Sequence, residues 1–299
     1  MTGLRIAITS SRRASELADL VKNFGGIPYL APTTAIQAMQ AQPAIENFIT
    51  RIIGRRIDYV IFMTGPGVYL FMLAARNLGL EKKLVYALNQ IVIVSRSFKP
   101  KHALAQHGVR TDIVPEENTS DGIASILNNY DIQDKEIGIV GHGAYPAGLK
   151  EQLTIAGAQV TECSVYKYSL EPNESGAKIL NSMGFKSKTP EEQKVLEVIE
   201  EINNRFIDAI TFTSPPAVHG LFDIAQVHHT KEFLLSSLNN YTIVVAVGPS
   251  TKKALEQNSV KVDVIPKIYK IGPMIKALCD YFDEIRPHNI RIDKSKQKK

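Results

Sequence analysis

The chain has 299 residues, of which 44% are hydrophobic and 22% charged, and its mean hydropathy is -0.07. This composition excludes a disordered, collagen-like or membrane-embedded chain, and the length suggests two domains of about 150 residues each. The two cysteines, Cys163 and Cys279, have no metal-ligand spacing and argue against a disulfide framework or a structural zinc site.

The net charge of +5 and the pI near 9.0 would suit a nucleic-acid-binding protein, but the charge is concentrated at the end of the chain. The last six residues, Lys294–Lys299, contain four lysines, so the rest of the chain is nearly neutral. We therefore predict a basic, disordered tail over residues 287–299 and no specific binding of nucleic acid. The start of the chain lacks the apolar core of a signal peptide, and glycine and proline interrupt the uncharged stretch 59–75. A cytoplasmic protein without membrane contact is expected.

Short Val- and Ile-rich segments alternate with amphipathic helical patterns along the chain. This alternation is typical of parallel sheets covered by helices on both faces. The predicted fold class is α/β, with two doubly wound parallel-sheet domains of flavodoxin-like type. Strands are predicted near residues 4–9, 27–31, 58–63, 91–95, 111–114, 136–140, 159–165, 208–213, 242–247 and 262–265.

Two segments of the chain match each other at an offset of 150 residues. Residues 57–68 align with 207–218, and each contains a strand, a hydroxyl-bearing turn and a helix start. More weakly, residues 1–33 resemble residues 135–167. An internal duplication explains the pattern, but it leaves two assemblies open. The repeats form either two sequential domains, or an outer pair into which the inner pair is inserted.

Polar turns follow the predicted strands. The ligand crevice of an open parallel sheet lies beyond the carboxyl ends of its strands, and helix N-termini at that edge bind carboxylate or phosphate. A single hydroxyl there is more simply a helix N-cap, but the turns together favour a polyanionic ligand. They are Thr9–Arg13, Thr64–Gly67, Ser95–Lys99, Gly141–Ala144, Thr213–Pro216 and Gly248–Thr251.

Motifs of nucleotide-driven, hydride-transfer, serine-hydrolase and zinc chemistry are missing from the sequence. There is no G-x-x-x-x-G-K-[ST], G-x-G-x-x-G after a strand, G-x-S-x-G, H-E-x-x-H or C-x-x-C. No cofactor and no metal are therefore predicted, and an enzyme of this kind would depend on positioning and acid–base assistance.

Three stretches resemble the uroporphyrinogen-III synthase family over about residues 4–285. Residues 208–218 are similar to its D-A-[IV]-x-F-T-S-x-x-A-V stretch, residues 247–255 to its V-G-x-x-T-x-x-A-L stretch, and Val165-Tyr166 to its strand-borne V-Y pair. Residues 9–16, 64–68 and 95–99 are similar to a branch of the family found in actinobacteria and archaea. In this chain Arg96–Lys99 replaces the V-G-x-x-T pattern often found in the first half, so a hydroxyl role does not carry over to that site.

The resemblance implies the nested arrangement, in which a two-stranded connector, around residues 32–40 and 166–170, joins the two domains across an active cleft. The expected boundaries are 1–36 plus 170–286 for the discontinuous domain and 40–166 for the inserted one. The implied reaction is cyclodehydration of hydroxymethylbilane, a linear tetrapyrrole with eight carboxylates, to uroporphyrinogen III with inversion of ring D. It passes through an azafulvene and a spiro intermediate, and the implied enzyme is a cofactor-independent lyase of tetrapyrrole biosynthesis.

The resemblance also assigns roles to residues. Tyr166 matches the tyrosine proposed to assist departure of the hydroxyl group, and it is the predicted catalytic residue. Four cations, Arg12, Arg13, Arg96 and Lys99, are predicted to contact carboxylates. The other predicted substrate-binding residues are Ser10, Thr64, Gly65, Ser97, His142, Gly143, Ser214, Pro215, Gly248, Ser250 and Thr251.

Two other functions remain as alternatives: a non-catalytic tetrapyrrole sensor or regulator of the same fold, and a nucleic-acid-binding protein that uses the lysine-rich tail. A monomer is expected.

Overall fold

The computed structural model describes residues 1–39, 42–142, 148–170, 176, 181, 184 and 188–285. The predicted tail, residues 287–299, lies outside them. Contacts divide the chain into two units. The first unit comprises Met1–Ala35, Ser169–Pro172 and Gly184–Lys299, and the second comprises Ile36–Tyr168 and Asn173–Met183.

Strands and helices alternate in both units, as the sequence pattern predicts. The strands are β1 Arg5–Ile8, β2 Ile27–Leu30, β3 Ala35–Ala38, β4 Tyr59–Phe62, β5 Val92–Ser95, β6 Glu136–His142, β7 Gln159–Ser169, β8 Ala209–Phe212 and β9 Ile243–Ala246. The helices of the first unit are α1 Ala14–Asn23, α8 Glu192–Asn203, α9 Pro215–Val227, α10 Lys231–Asn240, α11 Pro249–Gln257 and α12 Ile271–Ile285. Those of the second are α2 Pro43–Ile53, α3 Gly65–Asn77, α4 Glu81–Leu88, α5 Phe98–Gln106, α6 Ser120–Leu127 and α7 Leu149–Ile155.

Each unit is built on its own sheet. The first sheet has the order β2-β1-β8-β9, with parallel neighbours throughout. The second has the order β3-β7-β6-β4-β5, and its β7–β6, β6–β4 and β4–β5 pairs are parallel. Strands buried on both faces read as continuous apolar runs, and all four residues of β4, Tyr-Val-Ile-Phe, are buried. The predicted α/β fold with two parallel-sheet domains is confirmed.

Amphipathic helices cover the sheets. Helix α8 buries Val195, Val198, Ile199 and Ile202, whose spacing of three and four residues forms one apolar stripe. In the first unit this stripe belongs to an apolar cluster with β8 and α9, and a second cluster joins β1 to α1 and α12. The two clusters therefore occupy opposite faces of one sheet, as a doubly wound fold requires.

The duplication is visible in matching hydrogen bonds. Asp58 Oδ2 accepts a hydrogen bond from the Glu136 backbone N–H at 2.9 Å, and 150 residues later Asp208 Oδ2 accepts one from the Arg5 N–H at 2.7 Å. Asp58 thus ties β4 to β6, and Asp208 ties β8 to β1. Each aspartate joins segments that are far apart in sequence but adjacent in a sheet.

Replacement of either aspartate by alanine is expected to lower the free energy of unfolding by about 1–2 kcal/mol, because a charged acceptor for a strand N–H is lost. The two losses should add in the Asp58→Ala/Asp208→Ala double variant, since the sites lie in different units. Urea unfolding followed by circular dichroism would measure both. Asp19→Ala, on the exposed face of α1, serves as the control. Losses no larger than that of the control would contradict the prediction.

The structure differs from the predicted elements at three places. Residues 35–38, predicted as part of a connector, form β3 beside β7. The strands predicted at 111–114 and 262–265 are reduced to isolated bridges at Ile113 and Val264. At these places the Asp112 carboxylate accepts a hydrogen bond from the Ile93 N–H, and the Asp263 carboxylate accepts one from the Val244 N–H. These side-chain hydrogen bonds take the place of backbone hydrogen bonds between strands.

Helix α3 begins at Gly65, directly after the turn residue Thr64. The Thr64 side chain caps the helix by accepting a hydrogen bond from the Gly67 N–H, so that the glycine and proline of the turn belong to its first turn.

Cys163 is buried, and burial raises the pKa of its thiol to about 12. Among the described residues, no helix has both the length and the apolar character needed to cross a bilayer.

Candidate functional site

Five polar side chains gather at the carboxyl end of the second sheet. Thr64 follows β4, Arg96 follows β5, His142 ends β6, and Tyr166 and Tyr168 lie in the last part of β7. Because the pairs among these strands are parallel, their carboxyl ends meet at one edge. We refer to these five residues as the polar cluster.

A hydrogen bond between two hydroxyls links β4 to β7. Thr64 Oγ1 and the Tyr166 hydroxyl oxygen are 2.9 Å apart, and either can donate. Thr64 Oγ1 also accepts the Gly67 N–H at 3.1 Å as the N-cap of α3. Glycine at position 67 permits this approach, since a Cβ there would lie 3.0 Å from Thr64 Oγ1. The Thr64 hydroxyl is therefore held from two sides.

Tyr166 is completely buried, with 0% of its surface exposed, whereas Thr64 and Tyr168 are half-buried. Its ring lies 5.5 Å from the Tyr168 ring and 5.7 Å from the His142 ring, and the His142 and Tyr168 rings are 5.2 Å apart. Three rings in mutual edge or tilted contact hold one another in place.

Arg96 brings the positive charge into the cluster. Its Nε is buried and has no hydrogen-bond partner among the described residues. Burial lowers the pKa of the guanidinium below its usual value, while the nearby Tyr166 and Tyr168 oppose the shift. Arginine stays protonated even so, and the result is a half-buried cation whose buried Nε–H donor has no partner in the described part of the chain.

His142 supplies a neutral ring beside this cation. Burial, and second the charge of Arg96, lower the pKa of His142 to about 4. The imidazole is therefore uncharged at neutral pH, and one ring nitrogen can accept a hydrogen bond while the other donates.

The depressed pKa of His142 makes stability depend on pH. The unfolded chain binds a proton near pH 6.5, but the folded chain binds it only near pH 4, so stability is lost as the pH falls through this window. We expect a loss of about 2 kcal/mol between pH 7 and pH 4.5 that the His142→Gln variant does not share. Thermal unfolding of both proteins at half-unit pH steps would test this. Parallel pH slopes would count against it.

Further predicted residues lie at the carboxyl edge of the first sheet. Ser10, after β1, is 5% exposed, and its Oγ has no hydrogen-bond partner among the described residues. Ser214 is the N-cap of α9 and Pro215 its first residue, but the Ser214 side chain makes no capping bond. Gly248 is the N-cap of α11, Ser250 is exposed in its first turn, and Thr251 is buried.

The remaining predicted residues have different surroundings. Arg12 is half-buried, and Lys99 is exposed in the first turn of α5. Arg13 is exposed and forms an ion pair with Glu16 at 2.5 Å. Ser97 is the N-cap of α5, and its carbonyl accepts a hydrogen bond from Ser95 Oγ at 2.7 Å. Gly65 is buried at the start of α3, and Gly143 lies outside the described residues.

Tyr168 is a member of the polar cluster that the sequence patterns did not predict as a site residue. Its place in the cluster follows from the two-residue period of a strand, which puts residues 166 and 168 on the same face of β7. That spacing is the signal that could have identified it. Within the described part of the chain, no three His, Cys, Asp or Glu side chains are grouped so that they could hold a metal ion.

Comparison with known proteins identifies a family and several relatives that this chain matches. The family model described as uroporphyrinogen-III synthase HemD matches residues 15–276. The chain is 27% identical over 287 residues to the Bacillus subtilis protein named "Uncharacterized protein YjjA", covering 95% of this chain and 98% of that protein. It is also 27% identical over 270 residues to a Methanothermobacter thermautotrophicus protein named "Putative uroporphyrinogen-III synthase", with 89% and 93% coverage.

A crystal structure of a mutant uroporphyrinogen III synthase from Thermus thermophilus superimposes with a TM-score of 0.69 at 22% identity, covering 94% of this chain and 100% of that one. At this identity the match concerns the fold.

Proposed function

The chain belongs to the uroporphyrinogen-III synthase family, and we propose that it catalyses the reaction for which the family is named. In that reaction hydroxymethylbilane closes to uroporphyrinogen III with inversion of ring D and release of one water molecule. The proposal includes that the protein acts as a cofactor-independent lyase and as a cytoplasmic monomer.

The observation that carries the proposal is the buried Nε–H of Arg96, which has no hydrogen-bond partner within residues 1–39, 42–142, 148–170 and 188–285. Arg96 is half-buried, and its buried Nε–H is costly to leave unbonded unless an anion arrives to accept the bond. A carboxylate of the substrate is such an anion. The neutral His142 beside it adds no second charge and provides a further hydrogen-bond donor. We assign one carboxylate of the linear tetrapyrrole to Arg96 and His142.

The first unit has groups of its own that suit carboxylates. The N-termini of α9 and α11, with Ser214, Ser250 and Thr251, offer backbone N–H groups and hydroxyls of the kind that bind carboxylates. Ser10 Oγ is a second buried polar atom without a described partner at the end of a strand. Arg12, Arg13 and Lys99 are proposed as further contacts.

The chemistry asked of the protein is modest, because much of the reactivity belongs to the pyrrole. The pyrrole nitrogen supplies the electrons that break the carbon–oxygen bond of the hydroxymethyl group and form the azafulvene. The protein must hold ring D so that its substituted carbon attacks, and it must help the hydroxyl group leave as water. We propose the Tyr166–Thr64 hydroxyl pair for this assistance.

The test is the identity of the product. Freshly prepared hydroxymethylbilane is incubated with the purified full-length protein, and the products are oxidised and separated as porphyrin isomers. Type III is expected. Type I alone, as in a control with heat-denatured protein, would reject the enzymatic function, and binding of the substrate without closure would then indicate a sensor.

A further inference from the structure

The burial of Tyr166 raises the question of which hydroxyl meets the substrate. Tyr166 is 0% exposed, whereas Thr64, its hydrogen-bond partner, is half-buried at the start of α3. On the basis of the proposed function, we infer that the Thr64 hydroxyl is the group that donates to the departing oxygen. Tyr166 is then a positioning residue. It donates a hydrogen bond to the Thr64 hydroxyl and replaces the proton that Thr64 gives up.

The hydrogen bonds around Thr64 give this hydroxyl a direction. A threonine hydroxyl has one hydrogen to donate and two lone pairs to accept with. The Gly67 N–H occupies one lone pair at 3.1 Å, and the Tyr166 hydroxyl, when it donates at 2.9 Å, occupies the other. Both lone pairs of the Thr64 hydroxyl are then occupied, and its hydrogen points away from Gly67 and Tyr166.

The hydrogen bond from Tyr166 also explains how a weak acid such as threonine can act as a proton donor. As the carbon–oxygen bond of the substrate breaks, the Thr64 proton passes to the departing oxygen, which leaves as water, and the Tyr166 proton passes to Thr64. Arg96 is close enough to interact electrostatically with Tyr166, and a cation stabilises the negative charge that develops on a phenol oxygen. Closure of the ring releases one proton from a pyrrole carbon, and this proton restores Tyr166.

The duplicated half of the chain shows that the arrangement is not a simple consequence of the repeat. The residue that corresponds to Thr64 at the 150-residue offset is Ser214, the N-cap of α9. Its side chain makes no capping hydrogen bond, in contrast to that of Thr64. The doubly held hydroxyl belongs to Thr64, beside the charge of Arg96.

Steady-state kinetics of four variants would test the relay. Thr64→Val removes the hydroxyl at nearly constant shape, and we expect it to lower kcat roughly 30-fold or more with KM within about threefold of wild type. Thr64→Ser keeps the hydroxyl and should retain kcat within about threefold. Tyr166→Phe should lower kcat roughly 3- to 10-fold, and the Thr64→Val/Tyr166→Phe double variant should be no slower than Thr64→Val alone.

The control separates catalysis from helix capping. Thr119 caps α6 through the same kind of bond, with its Oγ1 accepting the Gly122 N–H at 2.9 Å, and it is not part of the polar cluster. Thr119→Val should lower the thermal stability much as Thr64→Val does, but leave kcat unchanged.

The outcomes distinguish this inference from the proposed function. Two results would overturn the relay while wild-type protein still forms the type III product. One is a Thr64→Val variant with wild-type kcat. The other is an undiminished effect of Tyr166→Phe in the Thr64→Val background, which would mean that Tyr166 acts without Thr64. Failure of the wild-type protein to form type III product would instead reject the proposed function itself.

Discussion

The Arg96→Gln variant is expected to bind hydroxymethylbilane roughly 10- to 100-fold more weakly, measured as a rise in KM, with a smaller change in kcat. The factor corresponds to about 1.5–3 kcal/mol, the usual value of a hydrogen bond between charged groups. Arg96→Glu should raise KM further, because it places a negative charge where a carboxylate is to bind.

The Arg96→Gln substitution should not destabilise the fold. Arg96 Nε has no described partner, and burial lowers the pKa of the side chain, so the cation costs free energy in the absence of ligand. The Arg96→Gln variant should therefore unfold at the same temperature as wild type or at a higher one. Weaker binding together with unchanged or greater stability is the signature of a residue retained for its ligand.

Arg110 provides the matched control. It is an arginine of the same unit, but its Nε donates to Asp112 at 2.8 Å and nearly half of its side chain is exposed. Arg110→Gln should leave KM within about twofold of wild type, since its charge is already paired and solvated. An Arg96→Gln protein with wild-type KM would show that the guanidinium does not contact the substrate.

The Gly220→Ala variant is expected to lose about 3 kcal/mol of stability, although alanine favours helices more than glycine does. Gly220 lies in α9, and a Cβ at this position would come within 2.2 Å of the Thr33 carbonyl oxygen. Thr33 cannot easily move, because it is 1% exposed, its N–H bonds to the Thr9 carbonyl and its hydroxyl bonds to the Ala217 carbonyl. The added methyl group must therefore break contacts between the end of β2 and α9.

Gly272→Ala is the matched control in the same unit. Gly272 is also helical, but a Cβ there would meet nothing within 4 Å. This variant should be unchanged or stabilised by up to about 1 kcal/mol. Urea unfolding of both variants would measure the difference, and equal stabilities would mean that the approach of Thr33 to α9 is not tight.

Much of the candidate site could be predicted from local sequence. The hydroxyl turns after β4 and β8 were identified by their position after an apolar strand, and Thr64 and Ser214 are both helix N-caps. Local sequence could not show that the two differ, since the difference comes from Tyr166, which lies on a strand about 100 residues later and is hydrogen-bonded to Thr64. The burial of Tyr166 and the burial of Arg96 Nε, which lacks a partner among the described residues, likewise depend on neighbours that are distant in sequence.

The sequence by itself determined the α/β class, most of the strands and helices, and the duplication, because each of these is expressed in the local spacing of apolar residues and turns. Only the tertiary structure decided which strands are neighbours. The pattern left sequential and nested assemblies open, and the structure pairs β1 with β8 and β4 with β6. The structure also shows that residues 35–38 form a strand beside β7. The apolar alternation of these four residues is too short to predict a strand by itself. The candidate partners of a strand have similar apolar character, so local sequence does not distinguish between them. Which strands pair therefore depends on the packing of the whole sheet and its helices.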